Sequence, residues 1–204
     1  MGLPPLFRDA VGKKQATVTV RLSLIRGRSV KIEALADPMD AGLEAVAAFR
    51  DGVGAITDVL TPRGELRWQL AFPVPGDVPA LCVAWAKACG FGEYGFARLV
   101  QIVRHLELVE ADLQRFYGVD LGRWPRREIS TRRVVSLISG LEHETSSLFW
   151  SEISGHNPLT HEAIVLAQFA SSPDQPHDFL LSREQRRQMQ ADAEAIERIK
   201  QRGF

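Results

Sequence analysis

The stretch from Glu93 to Gly118, EYGFARLVQIVRHLELVEADLQRFYG, decides how this chain is read. Phe96, Leu99, Val100, Val103, Leu106, Val109, Leu113 and Phe116 recur at spacings of three and four, which places them on one face of an α-helix. Arg98, Gln101, His105, Asp112 and Arg115 fall on the other face, so the acids of this stretch read as solvated. Gly118 stands where a helix ends in a left-handed C-cap. The pattern predicts one unbroken helix, about 37 Å long at 1.5 Å per residue.

Beyond the YG stop, VDLGRWPRRE (119–128) is a short basic turn. Ser130 is placed to cap a helix through Leu141, with Val134, Val135, Leu137, Ile138 and Leu141 inward. Ser146 to Ile153 reads as one or two helical turns, and Thr160 caps HEAIVLAQFA, with Glu162 at the positive end of its dipole. After the turn-rich SSPDQPHD, Ser182 and Gln185 form a capping box for a last helix to about Arg202. That helix offers only Met189, Ile196 and Ile199 as large apolar residues, so it reads as a projecting tail.

Upstream, residues 1–16 read as a flexible arm. TVTVRLSLI (17–25) alternates strictly and turns at Arg26-Gly27-Arg28-Ser29 into a second strand carrying Val30, Ile32 and Ala34, which predicts a β-hairpin. Asp37-Pro38 is a helix start, cap then first-turn proline, with Leu43, Val46, Ala47 and Arg50 at helical spacing. Ala55–Leu60 is consistent with a short strand, and the alternation of Leu66, Trp68 and Leu70 reads as another. PVPGDVP (73–79), with three prolines, is taken as the domain boundary, and everything after it reads as helical. The expected fold class is α+β: an arm (1–16), a small α+β region (17–78), a helical domain (79–172), then a linker and a polar C-terminal helix (173–204).

Composition excludes more than it selects. Lys plus Arg and Asp plus Glu number 25 each, so no mean field draws the protein to nucleic acid or an anionic surface. No segment approaches the roughly 20 apolar residues of a membrane span, and the N-terminal residues lack the basic-then-apolar order of a signal peptide. A cytoplasmic protein with no membrane partner is therefore expected. Cys82 and Cys89 would lie about 10 Å apart along a helix, too far for a disulfide, and read as reduced core residues. His143, His156, His161 and Glu162 lack metal-ligand spacing, and no P-loop, nucleophile elbow, GxGxxG or HExxH is present. No catalytic residue, metal or cofactor is expected.

The most pointed local feature is basic. Arg123, Arg126, Arg127, Arg132 and Arg133 lie within eleven residues, opposed there only by Glu128. They suit an anion or an acidic partner, or solvation plus pairing with Asp112, Asp120 or Glu142, the reading preferred here. A DNA-reading helix over ISTRRVVSLISGL is the sharper alternative, but its non-basic positions are mostly apolar and needed for packing. Trp124 reads as a lid over the junction of two helices.

The segments LVEADLQRFYGVDL, ISTRRVVSLISGLEHETSSLFWSE and LTHEAIVLAQF together resemble the tail assembly chaperones of actinobacterial tailed phages. The matching residues are Asp112, Tyr117, Gly118, Ser130, Arg132, Arg133, Leu137, Ile138, Leu141, Ser147, Thr160 and Glu162, over about residues 106–170. Glu142-His143-Glu144 and the polar C-terminal run depart from the family pattern. The resemblance implies a non-enzymatic virion morphogenesis factor in the host cytoplasm, binding a tape-measure or tail tube protein and keeping it soluble during tail assembly. A structural tail or neck component, or a DNA-binding regulator using the arginines, are the alternatives. The partner-binding residues expected are Val103, Leu106, Val109, Leu113 and Phe116, shared between core and client, with Trp124, Arg126, Arg127, Arg132 and Arg133 beside them.

Overall fold

The computed structural model describes residues 15–92, 94–171 and 180–201, the side chains at 53, 54, 170, 197 and 199–201 excepted. The expected arm, apart from Gln15 and Ala16, and residues 173–179 and 202–204 of the expected linker and C-terminal helix (173–204) lie outside the described residues, as does Glu93. The architecture is α+β, a two-stranded antiparallel sheet followed by helices. The chain forms two compact units: residues 1–104 with 122–136, and residues 105–121 with 137–204.

In the first unit, β1 (Thr17–Ser23) pairs antiparallel with β2 (Ser29–Leu35), Val20 opposite Ile32. The alternation works as the pleat requires: Val20, Leu22, Ile32 and Ala34 are buried, while Thr17, Thr19 and Arg21 are exposed. Asp37 caps a 3₁₀ turn, Pro38–Asp40, accepting from the Met39 amide at 3.0 Å. Gly42, at φ +108°, separates that turn from α1 (Leu43–Ala48).

Two expected strands are helices. Residues Val53–Val59 form a 3₁₀ helix, and only Leu60 makes a single bridge, to Ala34. Pro62–Leu70 is α2, capped by Thr61, whose hydroxyl accepts from the Gly64 amide at 3.1 Å. At 100° per residue Trp68 faces away from Leu66 and Leu70, and accordingly Trp68 is 5% exposed while they are 56% and 63% exposed. The spacing of two was coincidental, and the Thr-Pro cap was the stronger sign. Gly64 lies against β2 so closely that a Cβ there would stand 1.8 Å from the Glu33 carbonyl oxygen.

Helix α3 (Asp77–Ala88) packs on β1 and on the 53–59 helix, so the boundary expected at residue 79 falls within the first unit. Trp85 is fully buried, donates to the Leu35 carbonyl at 2.9 Å, and joins an aromatic cluster, edge-on to Phe91 and Phe96 and tilted 38° to Phe49.

The predicted single helix over 93–117 is two: α4 (Gly95–Arg104) and α5 (Leu106–Tyr117), with His105 between them at φ −127°, ψ 42°. The units divide here, Arg104 ending the first segment of one and His105 beginning the other. No proline or glycine marks the break, and apolar residues continue at three and four across it, so periodicity does not register a one-residue excursion. The expected cap is present at the far end: Gly118 is left-handed and donates to Gln114 at 3.1 Å, and Val119 to Leu113 at 3.1 Å.

In the second unit, α5 turns Val109, Asp112 and Leu113 inward. Residues 137–139 close α6 (Thr131–Ser139), and α7 (Leu148–Ser154), α8 (His161–Ala170) and α9 (Arg183–Gln201) follow. The predicted cap at Thr160 forms, accepting from the Ala163 amide at 3.3 Å, and Ser147 caps α7 by accepting from the Trp150 amide at 3.1 Å. The Ser182–Gln185 box is reciprocal, at 2.8 and 3.2 Å.

Candidate functional site

The expected partner-binding line does not survive as a surface. Val109 and Leu113 are fully buried, Val103 is 6% exposed and belongs to α4, and Phe116 is half-buried. Leu106, at the start of α5, is 41% exposed. Val103 is thus core of the first unit, and Val109 and Leu113 are core of the second.

Asp112 was expected on the solvated face and is instead wholly buried. Its carboxylate accepts from the Ser147 hydroxyl at 2.5 Å, and from the Leu148 and Phe149 amides at 3.0 Å each. Those donors are the first turn of α7, so one acid of α5 satisfies the otherwise orphaned end of another helix. Aromatic and polar contacts complete that neighbourhood: Trp150 donates to the Ile138 carbonyl at 2.8 Å and Tyr117 to the Leu137 carbonyl at 3.1 Å.

The arginine cluster is partly consumed by structure, with partners other than those expected. Arg123 pairs with Glu128 at 2.9 Å. Arg127, whose φ is +59°, pairs with Asp40 at 2.9 Å and donates to the Met39 carbonyl at 2.9 Å, which holds that unusual backbone in place. Burial pushes the Asp40 carboxyl up, against the opposing pull of Arg127. The first turn of α6 already has its anion: Asp37 accepts from the Thr131 amide at 2.9 Å and from the Thr131 hydroxyl, which also accepts from the Trp124 indole at 2.9 Å. Ser130 takes the Arg133 amide at 3.2 Å. Trp124 is thus a buried strut rather than a contact for a partner. Arg126, Arg132 and Arg133 remain exposed.

Burial pushes both thiols, Cys82 and Cys89, up to about 12, which keeps them protonated and poorly nucleophilic. Among the described residues no group of three His, Cys, Asp or Glu is placed to hold a metal, and no helix is long and apolar enough to cross a membrane.

The surface that sequence reasoning missed is on α8. Leu166 and Phe169, three apart and so on one face, are 69% and 86% exposed, while Ala167 behind them is 5% exposed. A signal was present: Ile164, Val165, Leu166 and Phe169 spread over more of the helix circumference than one neighbour can cover. Comparison with protein-family models, with curated proteins and with solved structures finds no match to this chain.

Proposed function

We propose that the protein is a non-enzymatic assembly factor that binds an apolar helical client through the outer face of α8, as the resemblance to phage tail assembly chaperones implies. The observation that carries this reading is the exposure of Leu166 and Phe169, in a unit whose helix α5 buries Val109 and Leu113 completely. Exposed apolar side chains set side by side mark interaction sites, and phenylalanine is enriched at the core of protein interfaces. The client expected is a phage tape-measure protein, held soluble in the host cytoplasm while tube subunits polymerise.

Co-expression with that tape-measure protein tests the reading. Co-purification and a gain in client solubility are expected, both lost in a Leu166→Glu, Phe169→Glu variant that keeps the wild-type unfolding transition. Neither co-purification nor solubility gain with the intact chain would sink the proposal. Mass spectrometry of purified particles separates a transient chaperone from a permanent tail or neck component.

A further inference from the structure

The two strands of the hairpin have unequal outer edges. The Leu24 amide donates to the Arg28 carbonyl at 2.7 Å and the Ala36 amide to the Ala16 carbonyl at 2.8 Å, so the even-numbered residues of β1 and β2 carry the bonds between the strands. The odd-numbered residues turn their amides and carbonyls outward. On β2 the outward carbonyls are taken: Glu33 accepts from the Thr61 amide at 3.1 Å, Lys31 from the Arg67 guanidinium at 3.3 Å and Leu35 from the Trp85 indole at 2.9 Å. On β1 the corresponding groups of Thr17, Thr19, Arg21 and Ser23 have no partner among the described residues, and all four residues are exposed. A row of unpaired strand groups facing water is a template for a further strand.

The face beside that edge is basic. Arg21 stands directly opposite Lys31, at a position where the two strands exchange no hydrogen bonds and side chains come closest. Like charges so placed repel. Arg26 and Arg28, both exposed, lie in the connection between the strands, and none of these four cations makes an ion pair among the described residues. The first acid after them is Glu33, half-buried and opposite Thr19. On the other face of β1, Val20 and Leu22 are buried and Val18 is half-buried.

We propose that an extended acidic segment of a protein partner adds to the outer edge of β1 as a third strand. Its amides and carbonyls complete the ladder that Thr17, Thr19, Arg21 and Ser23 leave open, which is how exposed sheet edges take up peptides. Alternate side chains of such a strand fall on the face of Arg21, where carboxylates offset the repulsion between Arg21 and Lys31. The intervening side chains flank Val18, Val20 and Leu22, so the sequence recognised alternates acidic with β-branched apolar residues. Charge complementarity selects this occupant. A second copy of the chain would set two of these basic faces side by side, and a nucleic acid would meet the charges without pairing the ladder. The edge belongs to the first unit, whereas the α8 surface belongs to the second.

The experiment is a ¹H–¹⁵N titration of the full chain with the acetylated, amidated peptide SEVEVEVS, with its lysine counterpart SKVKVKVS, and with SEVEVEVS N-methylated at the glutamates, whose amides face β1. Saturable shifts and slower hydrogen exchange of the Thr17, Thr19, Arg21 and Ser23 amides are expected with the glutamate peptide, and neither with the lysine peptide. N-methylation should weaken binding about tenfold or more, because it removes the ladder and keeps the charge. Arg21→Glu, exposed and opposite Lys31, should keep the fold, weaken the glutamate peptide about five- to tenfold and admit the lysine peptide. Lys31→Glu should act in the same direction and keeps the test valid if Arg21→Glu perturbs the hairpin. No saturable shift, equal affinity for the N-methylated peptide, or unchanged affinity in both variants would overturn the proposal. So would tighter binding of an oligothymidylate, which would assign the patch to phosphates, or protection of the same amides that grows with protein concentration without peptide, which would assign the edge to a second copy.

Discussion

In α5, Val109 and Leu113 are wholly buried, whereas in α8, a helix of the same unit, Leu166 and Phe169 stand 69% and 86% exposed. The two helices are of similar length and differ in how apolar residues are arranged around them. α5 has Glu107, Glu110 and Gln114 to clothe its outer side, so Val109 and Leu113 turn fully inward and Leu108 and Phe116 are half-buried. α8 has apolar residues on more than one side and must leave some outside. Burial secures the first helix. The second is secured by its cap and by Ala167, and its outer face is open to a partner.

The sharpest way to break this contrast is to place a charge in each helix. Val109→Asp buries an unpaired carboxylate and should cost more than about 4 kcal/mol, enough to abolish cooperative folding. Leu166→Asp should stay within about 1 kcal/mol of wild type. Urea unfolding of the two variants decides it, and equal losses would mean that the outer face of α8 is core after all.

Asp112 comes next, because it shows that α5 anchors its neighbour as well as the hydrophobic interior. Asp112→Ala strands the Ser147 hydroxyl and two α7 amides and should cost about 2–4 kcal/mol. Asp112→Asn, which keeps one acceptor oxygen, should recover part of that loss. If alanine and asparagine were equally mild, the carboxylate would not be what holds the start of α7.

These residues also mark how far the sequence could be read. Strict alternation from Thr17 to Leu24 yielded the hairpin, and side-chain chemistry identified the ends at Asp37, Gly118, Ser130, Thr160 and Ser182, because each depends on neighbours within a few residues. Leu66, Trp68 and Leu70 misled because a spacing of two over five residues also occurs in helices. Asp112 misled because an acid at that spacing reads as solvated until a distant helix end, Ser147 to Phe149, is brought to it. The arginine cluster shows the same limit: Asp40, the partner of Arg127, and Asp37, the partner of Thr131, lie some ninety residues away, so neither Arg127's pairing nor the occupied first turn of α6 could be seen locally. As for the candidate site, the α8 face was visible as an excess of apolar residues, but only packing shows which of them are left outside.

Thr160 sharpens the comparison from the α8 side. A helix with an open face relies more on its ends, so Thr160→Ala, which removes the acceptor of the Ala163 amide, should cost about 1 kcal/mol. The loss should appear as faster hydrogen exchange confined to α8, with α5 unchanged. Equal acceleration in both helices would show that they open as one unit and that the contrast between them is not energetic.

The smallest effect expected concerns α9, whose described side chains are all exposed except Arg186, Met189 and Ile196 among them at 49% and 54%. Its hold on the unit is at its first turn, where Arg183 pairs with Glu152 at 2.8 Å and its amide donates to the Gly155 carbonyl at 2.8 Å. The hydrogen bond from Arg183 holds the Glu152 carboxyl below the usual range. A carboxyl lowered by folding contributes stability that is complete above its unfolded value and disappears as pH falls through the lowered, folded one. Protection of the Arg186 amide, which donates to the Ser182 carbonyl at 3.0 Å, should therefore decline as the solution is acidified through that window, and decline less at high salt. In Glu152→Gln the pH dependence in that window should vanish, leaving protection uniformly low. If protection of the wild type were flat with pH, the capping box alone would anchor α9, and its attachment would be a matter of local helix chemistry like that of Thr160 in α8.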